Sequence, residues 1–421
     1  MRVVGVSVTL ADYRAAVRTP GAALPVAGSA LGRLPIAMYG LAVLLYVQRT
    51  TGSFASAGLV SAGILVGMSV GAVAQGRIMD RRGPAVLLLV VAALFATTSA
   101  LLLVLIATDR PVGVLVAAAA LSGAAMPALP GASRSLWTAL LPPGPRREAG
   151  YGYEAISLEV FFILGPAVAA FLVTAPWPGT GAVVAIAAMV VGTVVFACSP
   201  AVRAVRGSVR AGRRSLLGVL SRPGLRIVAL ASLGFGVVIG SVEVGVPAVT
   251  AAAGSAALGG MLLSAWSVTS VLGGIGYAAR PWPRPLHLRL PVLLVGFALV
   301  VGGMAAAAAT GSVLVTALVM LLAGALITPQ TTAHSVAIDV VVDERSGTEA
   351  FGWVVTAATV GIAAGQSLAG VVVEAVGPQA AFLVGGAGGV LLAAVVWLGK
   401  AAVRAEPAEV SERLAGSPAA P

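Results

Sequence analysis

Five ionisable side chains, Arg33, Arg134, Glu154, Glu159 and Glu243, stand inside stretches that are otherwise almost entirely apolar, and Asp339 and Glu349 stand near the ends of two more. A charge among apolar groups costs several kcal/mol unless it is paired or reaches water, so such residues serve as ion-pair partners, solute contacts or proton carriers. At about 1.5 Å per residue from the ends of their segments, Arg134 lies about 10 Å deep, Glu159 about 13 Å and Arg33 about 16 Å. Arg134 and Glu159 are therefore expected to pair. Burial and a nearby guanidinium act in opposite senses on a carboxyl's proton affinity, so that pair is either a proton-handling site or a structural ion pair. Glu154 is about 140° around the helix from Glu159 and does not share its face. Being nearer the surface, Glu154 is expected to be hydrated.

Other chemistries find little support. Cys198 is the single cysteine, which excludes internal disulfides and multi-cysteine metal sites. The two histidines, His287 and His334, have no metal-ligand spacing, and His334 is expected to be a satisfied histidine within a helix bundle. A phosphate-binding loop needs Lys after a Gly-rich turn, whereas the only lysine is Lys400. Gly67-Met68-Ser69-Val70-Gly71 has the spacing of a hydrolase elbow without a strand-turn-helix setting; with Gly63 it reads as helix packing. No metal or organic cofactor is expected.

The segments that position these residues dominate the chain. Of 421 residues, 59% are hydrophobic and 10% charged, against roughly 25% charged in soluble domains. With a mean hydropathy of +1.02, a soluble protein is excluded. Continuous apolar runs such as Val112 to Leu121 exclude the alternation of a membrane barrel. The expected fold is all-α and polytopic, with spans near 22–47, 54–76, 84–107, 112–140, 150–174, 180–199, 224–250, 255–279, 288–309, 312–338, 348–373 and 378–400. Alternate loops hold Arg2, Arg14 and Arg18; Arg77, Arg81 and Arg82; Arg146 and Arg147; Arg203 to Arg226; Arg280, Arg284 and Arg289; Arg345; and Lys400, Arg404 and Arg413. The opposite loops hold only Arg49 and Arg110. Positive loops stay in the cytoplasm, so both termini are expected there, and the net charge of +11 reads as topology rather than nucleic-acid binding. The amino-terminal segment is expected to be retained, because its apolar run is too long for a cleaved leader and is interrupted by Arg33.

Residues 1–199 are expected to form one six-helix bundle and 224–400 another. Between them, 200–223 is a basic cytoplasmic linker that anchors topology or contacts anionic lipid. Residues 401–421, rich in Ala, Pro, Ser and Glu, are expected to be a disordered cytoplasmic tail. Arg33 and Glu243, charges inside the first span of each half, are candidates for solute contact or coupling, or for a structural ion pair.

The loop Gly76-Arg77-Ile78-Met79-Asp80-Arg81-Arg82-Gly83-Pro84 resembles the signature of the major facilitator superfamily, a Gly, three residues, Asp-Arg, one residue and Gly; Pro84 stands where the family continues with basic residues. Gly76 and Gly83 are expected to permit a tight turn and close helix approach. The resemblance implies a conformational latch of Gly76, Asp80, Arg81 and Gly83 against the start of span eleven near Thr348; Glu349 there suits a helix start. It covers nearly the whole chain, with a weak echo at Gly273-Gly274-Ile275-Gly276 before Arg280. Gly165-Pro166-Ala167-Val168-Ala169-Ala170 resembles, in part, the kink motif of the superfamily's drug/proton antiporters, and Arg134 stands where the family often has an arginine implicated in proton coupling.

The resemblance implies a monomeric secondary transporter of a small molecule, working by alternating access among membrane lipids. Proton-coupled efflux of an amphipathic compound is expected first; uptake or uniport of a sugar or carboxylate is the alternative. A polytopic enzyme would need a polar cluster or soluble insert that the sequence lacks, and a sensor would share the composition. The absence of Asn and the single Lys among 26 basic residues suggest a GC-rich bacterial genome and hence the inner membrane.

Overall fold

A computed structural model describes residues 10–142, 144–205, 219–278, 285–342 and 347–403. In chain order the helices are α1 (Leu10–Val17), α2 (Ala23–Thr51), α3 (Phe54–Arg82), α4 (Pro84–Ala107), α5 (Val112–Ala125), α6 (Leu129–Leu140), α7 (Pro145–Leu172), α8 (Thr180–Cys198) and α9 (Pro200–Ala204). They continue with α10 (Pro223–Ala252), α11 (Ala256–Ala278), α12 (Leu286–Ala309), α13 (Val313–Gly324), α14 (Ile327–Val341), α15 (Gly347–Ala375) and α16 (Ala380–Gly399). Among the described residues, twelve helical stretches are long and apolar enough to cross a membrane. Exposed Leu398, Val86, Phe171 and Leu314 give them outer surfaces that lipid rather than water would solvate. Of the expected linker, the described residues form α9 and a 3-10 turn at Val219–Ser221. Residues 206–218 and the tail from 404 lie outside the described residues.

Two compact units interleave along the sequence. The first takes Met1–Arg213, Glu243–Val268 and Gln366–Ala380; the second takes Arg214–Val242, Thr269–Gly365 and Ala381–Pro421. In the first unit, Tyr39 of α2 is buried with its hydroxyl bonded to Ser99 of α4 and Ser122 of α5, at 3.1 and 2.8 Å. In the second, Leu225, Val228, Ala231, Leu290, Ala337, Val354 and Val396 form a core joining α10, α12, α14, α15 and α16.

Local chemistry sets the turns. Gly52 ends α2 at φ 72°, returning its N–H to Gln48 O, and Ser53 caps α3 by accepting the Ser56 N–H at 3.0 Å. Gly83 ends α3 at φ 82° and Pro84 opens α4. Gly76 departs from expectation: it lies inside α3, and a Cβ there would meet open space. The tight turn of the signature loop rests on Gly83 alone.

Small residues bring α3 and α5 into backbone contact. Added Cβ atoms at Gly63, Gly67 and Gly71 would strike the carbonyl oxygens of Val116, Ala120 and Ala124, in step every four residues. In the second unit, Gly273 of α11 meets Ala325 O and Gly274 meets Thr328, so the glycine echo is a packing feature.

Spans four and ten, expected to be continuous, are each two helices. Met126 precedes Pro127 and is extended (φ −61°, ψ 125°), which ends α5. Pro329 cannot donate to the carbonyl of Ala325, and the chain breaks between α13 and α14. The break in span four is held by Gln75 of α3, which is buried. Its Nε2 donates to Ala124 O (3.2 Å) and Met126 O (2.8 Å), and its Oε1 accepts from the Ala128 N–H (2.9 Å). Each buried backbone group left unpaired costs about 1–3 kcal/mol. Gln75→Leu, close in size but unable to pair these groups, is therefore expected to lower the thermal midpoint of the purified protein clearly; an unchanged midpoint would refute the clamp.

Candidate functional site

Buried polar groups collect where α2, α6 and α7 meet. Gly28 and Gly32 lay α2 directly on α8, around Gly192 and Phe196. One residue on, Arg33 (2% exposed) forms an ion pair with Glu154 of α7. Its Nη2 also donates to Glu154 O at 3.1 Å and to Ser157 Oγ, and its guanidinium lies 5.6 Å from the Phe161 ring centroid. The carboxylate serves a third helix: Oε1 accepts from Ser133 Oγ (2.7 Å) and Trp137 Nε1 (2.8 Å), one turn apart on α6. Trp137 is fully buried and meets Tyr153 edge-on. One carboxylate thus joins three helices, two of them parts of spans that carry the other candidate charges.

The hydration expected at Glu154 gives way to this pairing, and the reason lies in the start of α7. The helix begins at Pro145, five residues before the expected 150, which puts Glu154 about 14 Å along it; Arg33 is about 15 Å along α2. The two are level. Arg134 and Glu159 are both exposed and form no ion pair with each other among the described residues; Arg134 stacks over the Tyr151 ring at 4.8 Å instead. Ser133 and Trp137 carry no charge to single them out in sequence; the signal for them is their place in the stretch Ser133-Arg134-Ser135-Leu136-Trp137, where a spacing of four puts both on one face.

Glu243 of α10 lies apart from Arg33's network. It is partly buried and accepts a 2.7 Å hydrogen bond from Gln366 Nε2 on α15. Gln366 is buried, and its Oε1 has no partner among the described residues. No cation pairs with Glu243 among the described residues. A carboxylate so placed costs several kcal/mol unless a proton or a cation neutralises it.

Gly165 packs α7 against Ala37 of α2, and Gly260 of α11 would run into Pro166 O and the Ala170 side chain if it carried a Cβ. The Gly-Pro motif is therefore a contact surface for two helices, with Pro166 inside an unbroken α7. Arg81 is exposed at the end of α3, while the side chains of Asp80, Thr348 and Glu349 lie outside the described residues. His334 is buried in α14, with Nε2 3.1 Å from Gln330 Nε2 and its ring edge-on to Phe235.

Residues 26–349 match the family described as Major Facilitator Superfamily. The chain belongs to the major facilitator superfamily. No curated protein matches it. Among solved structures it is similar to a bacterial homolog of the human lysosomal transporter Spinster, at a TM-score of 0.69 and 12% identity over 93% of this chain and 99% of that one. The nucleoside transporter NupG, as its D323A mutant, gives 0.68 and 14% over 89% and 99%. A D-xylose-proton symporter gives 0.63 and 16% over 90% and 98%. At such identities these likenesses establish the shared fold. Family membership makes this superfamily protein a multi-pass membrane transporter rather than an enzyme.

Proposed function

We propose that this superfamily member is a proton-coupled exporter of small amphipathic molecules in the inner membrane of a bacterium, with both termini in the cytoplasm, working as a monomer. The observation that carries proton coupling is Glu243, partly buried, bonded to the Gln366 amide and with no cation paired to it among the described residues. The existence of a solved proton symporter with this fold supports the same reading. Arg33 and Glu154 act as the tie between spans one, four and five, while Arg134 and Glu159, exposed on α6 and α7, supply polar contacts along the solute's route.

Export rests on the resemblance of Gly165-Pro166 to the antiporter motif. The halves 1–199 and 224–400 alternate about the basic linker, with Asp80, Arg81 and Gly83 as the cytoplasmic latch. Cells expressing the protein are expected to accumulate less of a fluorescent amphipathic cation than cells with an empty vector, and a protonophore should erase the difference. Higher accumulation would replace export by uptake, and a deficit that survives the protonophore would remove proton coupling.

A further inference from the structure

Within the first unit, the start of α3 and the end of α15 are joined by three successive contacts. Residues 366, 370 and 374 of α15, four apart, share one face. An added Cβ at Gly58 of α3 would strike the carbonyl oxygen of Gln366, and one at Gly370 would strike that of Phe54, so the two backbones touch at both places. The third contact is polar. Glu374 Oε2 accepts from Ser53 Oγ at 2.5 Å and from the Ala55 N–H at 3.2 Å. Ser53 is the N-cap of α3, and Ala55 is one of the amides at that end without a helical acceptor. The carboxylate therefore completes a helix terminus that favours negative charge.

Gln366 belongs to this seam and to the coupling site at once, since its carbonyl faces Gly58 while its side-chain amide holds Glu243. The seam joins helices from the two ends of the sequence at residues an alternating carrier must part when this face opens. It tolerates no side chain at Gly58 or Gly370, and it exposes a helix end once Glu374 leaves. Backbone approaches at two glycines and one charge-assisted carboxylate make a closure that can break in each cycle.

We propose that Glu374 is a gate latch, its carboxylate holding the α3–α15 seam shut at the end of the protein that carries Ser53, with Gln366 linking the seam to Glu243. This rests on the alternating-access reading above. The test uses spin labels at Thr50→Cys and Val376→Cys, both exposed positions beside the seam, in the full chain with Cys198→Ala, reconstituted in lipid. Distances between the labels are measured by pulsed electron resonance.

Glu374→Gln keeps an acceptor but loses the charge-assisted bond, and is expected to shift the balance from short to long distances on the order of tenfold. Gly58→Leu, which blocks the seam sterically, should do the same. If Gly58→Leu lengthens the distance and Glu374→Gln leaves it unchanged, the seam moves but Glu374 is not its latch. If neither variant changes it, the seam is static and the alternating-access reading fails with the proposal.

Discussion

Arg33→Met is expected to destabilise the protein severely, by about 3–5 kcal/mol, because it strands the Glu154 carboxylate between Ser133 and Trp137 without its cation. The carboxylate side chain is 13% exposed, so little solvent reaches it to offset the loss. Glu154→Gln alone should also destabilise, since Arg33 then keeps only neutral partners. The double variant Arg33→Met with Glu154→Gln removes both charges and retains an amide oxygen for Ser133 and Trp137. Its thermal midpoint is expected to lie close to that of the wild type, the behaviour of a buried pair whose desolvation cost offsets its attraction. Thermal unfolding of the four proteins in detergent checks this cycle. Additive losses in the double variant would show that Arg33 and Glu154 act separately.

The second large effect concerns transport. Glu243→Gln preserves shape and can still accept from Gln366 Nε2, but its amide cannot take up and release a proton as a carboxyl does. Gradient-driven transport is expected to fall on the order of a hundredfold, the size of effect of removing a positioned proton-transfer group. Substrate exchange across the membrane, which needs no net proton movement, should stay within a few-fold of wild type. Measuring both activities in the same vesicles separates coupling from folding, because a misfolded variant loses the two together. Equal loss of both would assign Glu243 to structure.

Much of this architecture was legible in the sequence, and the places where it was not have identifiable causes. Hydropathy located all twelve spans because lipid admits few alternatives to an apolar helix. It did not reveal that spans four and ten are broken, although Pro127 and Pro329 were in plain view: a proline inside an apolar run is as compatible with a kink as with a break. Gln75 decides that question by supplying side-chain partners for the freed backbone, and a single Gln in a glycine-rich helix carries no such message in sequence. Arg134 and Glu159 look level by depth only when α7 is taken to begin at the apolar run near 150; it begins at Pro145, which carries Glu159 five residues further along the helix. An amphiphilic first turn hides a helix start from a hydropathy window. The double glycine spacing in α3 is legible as packing, since backbone contact is the commonest use of small residues four apart. Gly76 and Gly83 look equivalent in the signature loop, yet only Gly83 adopts a positive φ.

The central claim is that solute movement through this superfamily protein is tied to a proton at Glu243. The most direct measurement is lumenal pH in inside-out membrane vesicles holding a respiration-driven gradient, challenged with a panel of amphipathic compounds, for wild type, Glu243→Gln and Glu159→Gln. The account predicts that at least one compound dissipates the gradient with the wild type and with Glu159→Gln, and fails to do so with Glu243→Gln. Dissipation that persists in Glu243→Gln, or labelled solutes that cross through the wild type without moving the gradient, would contradict it.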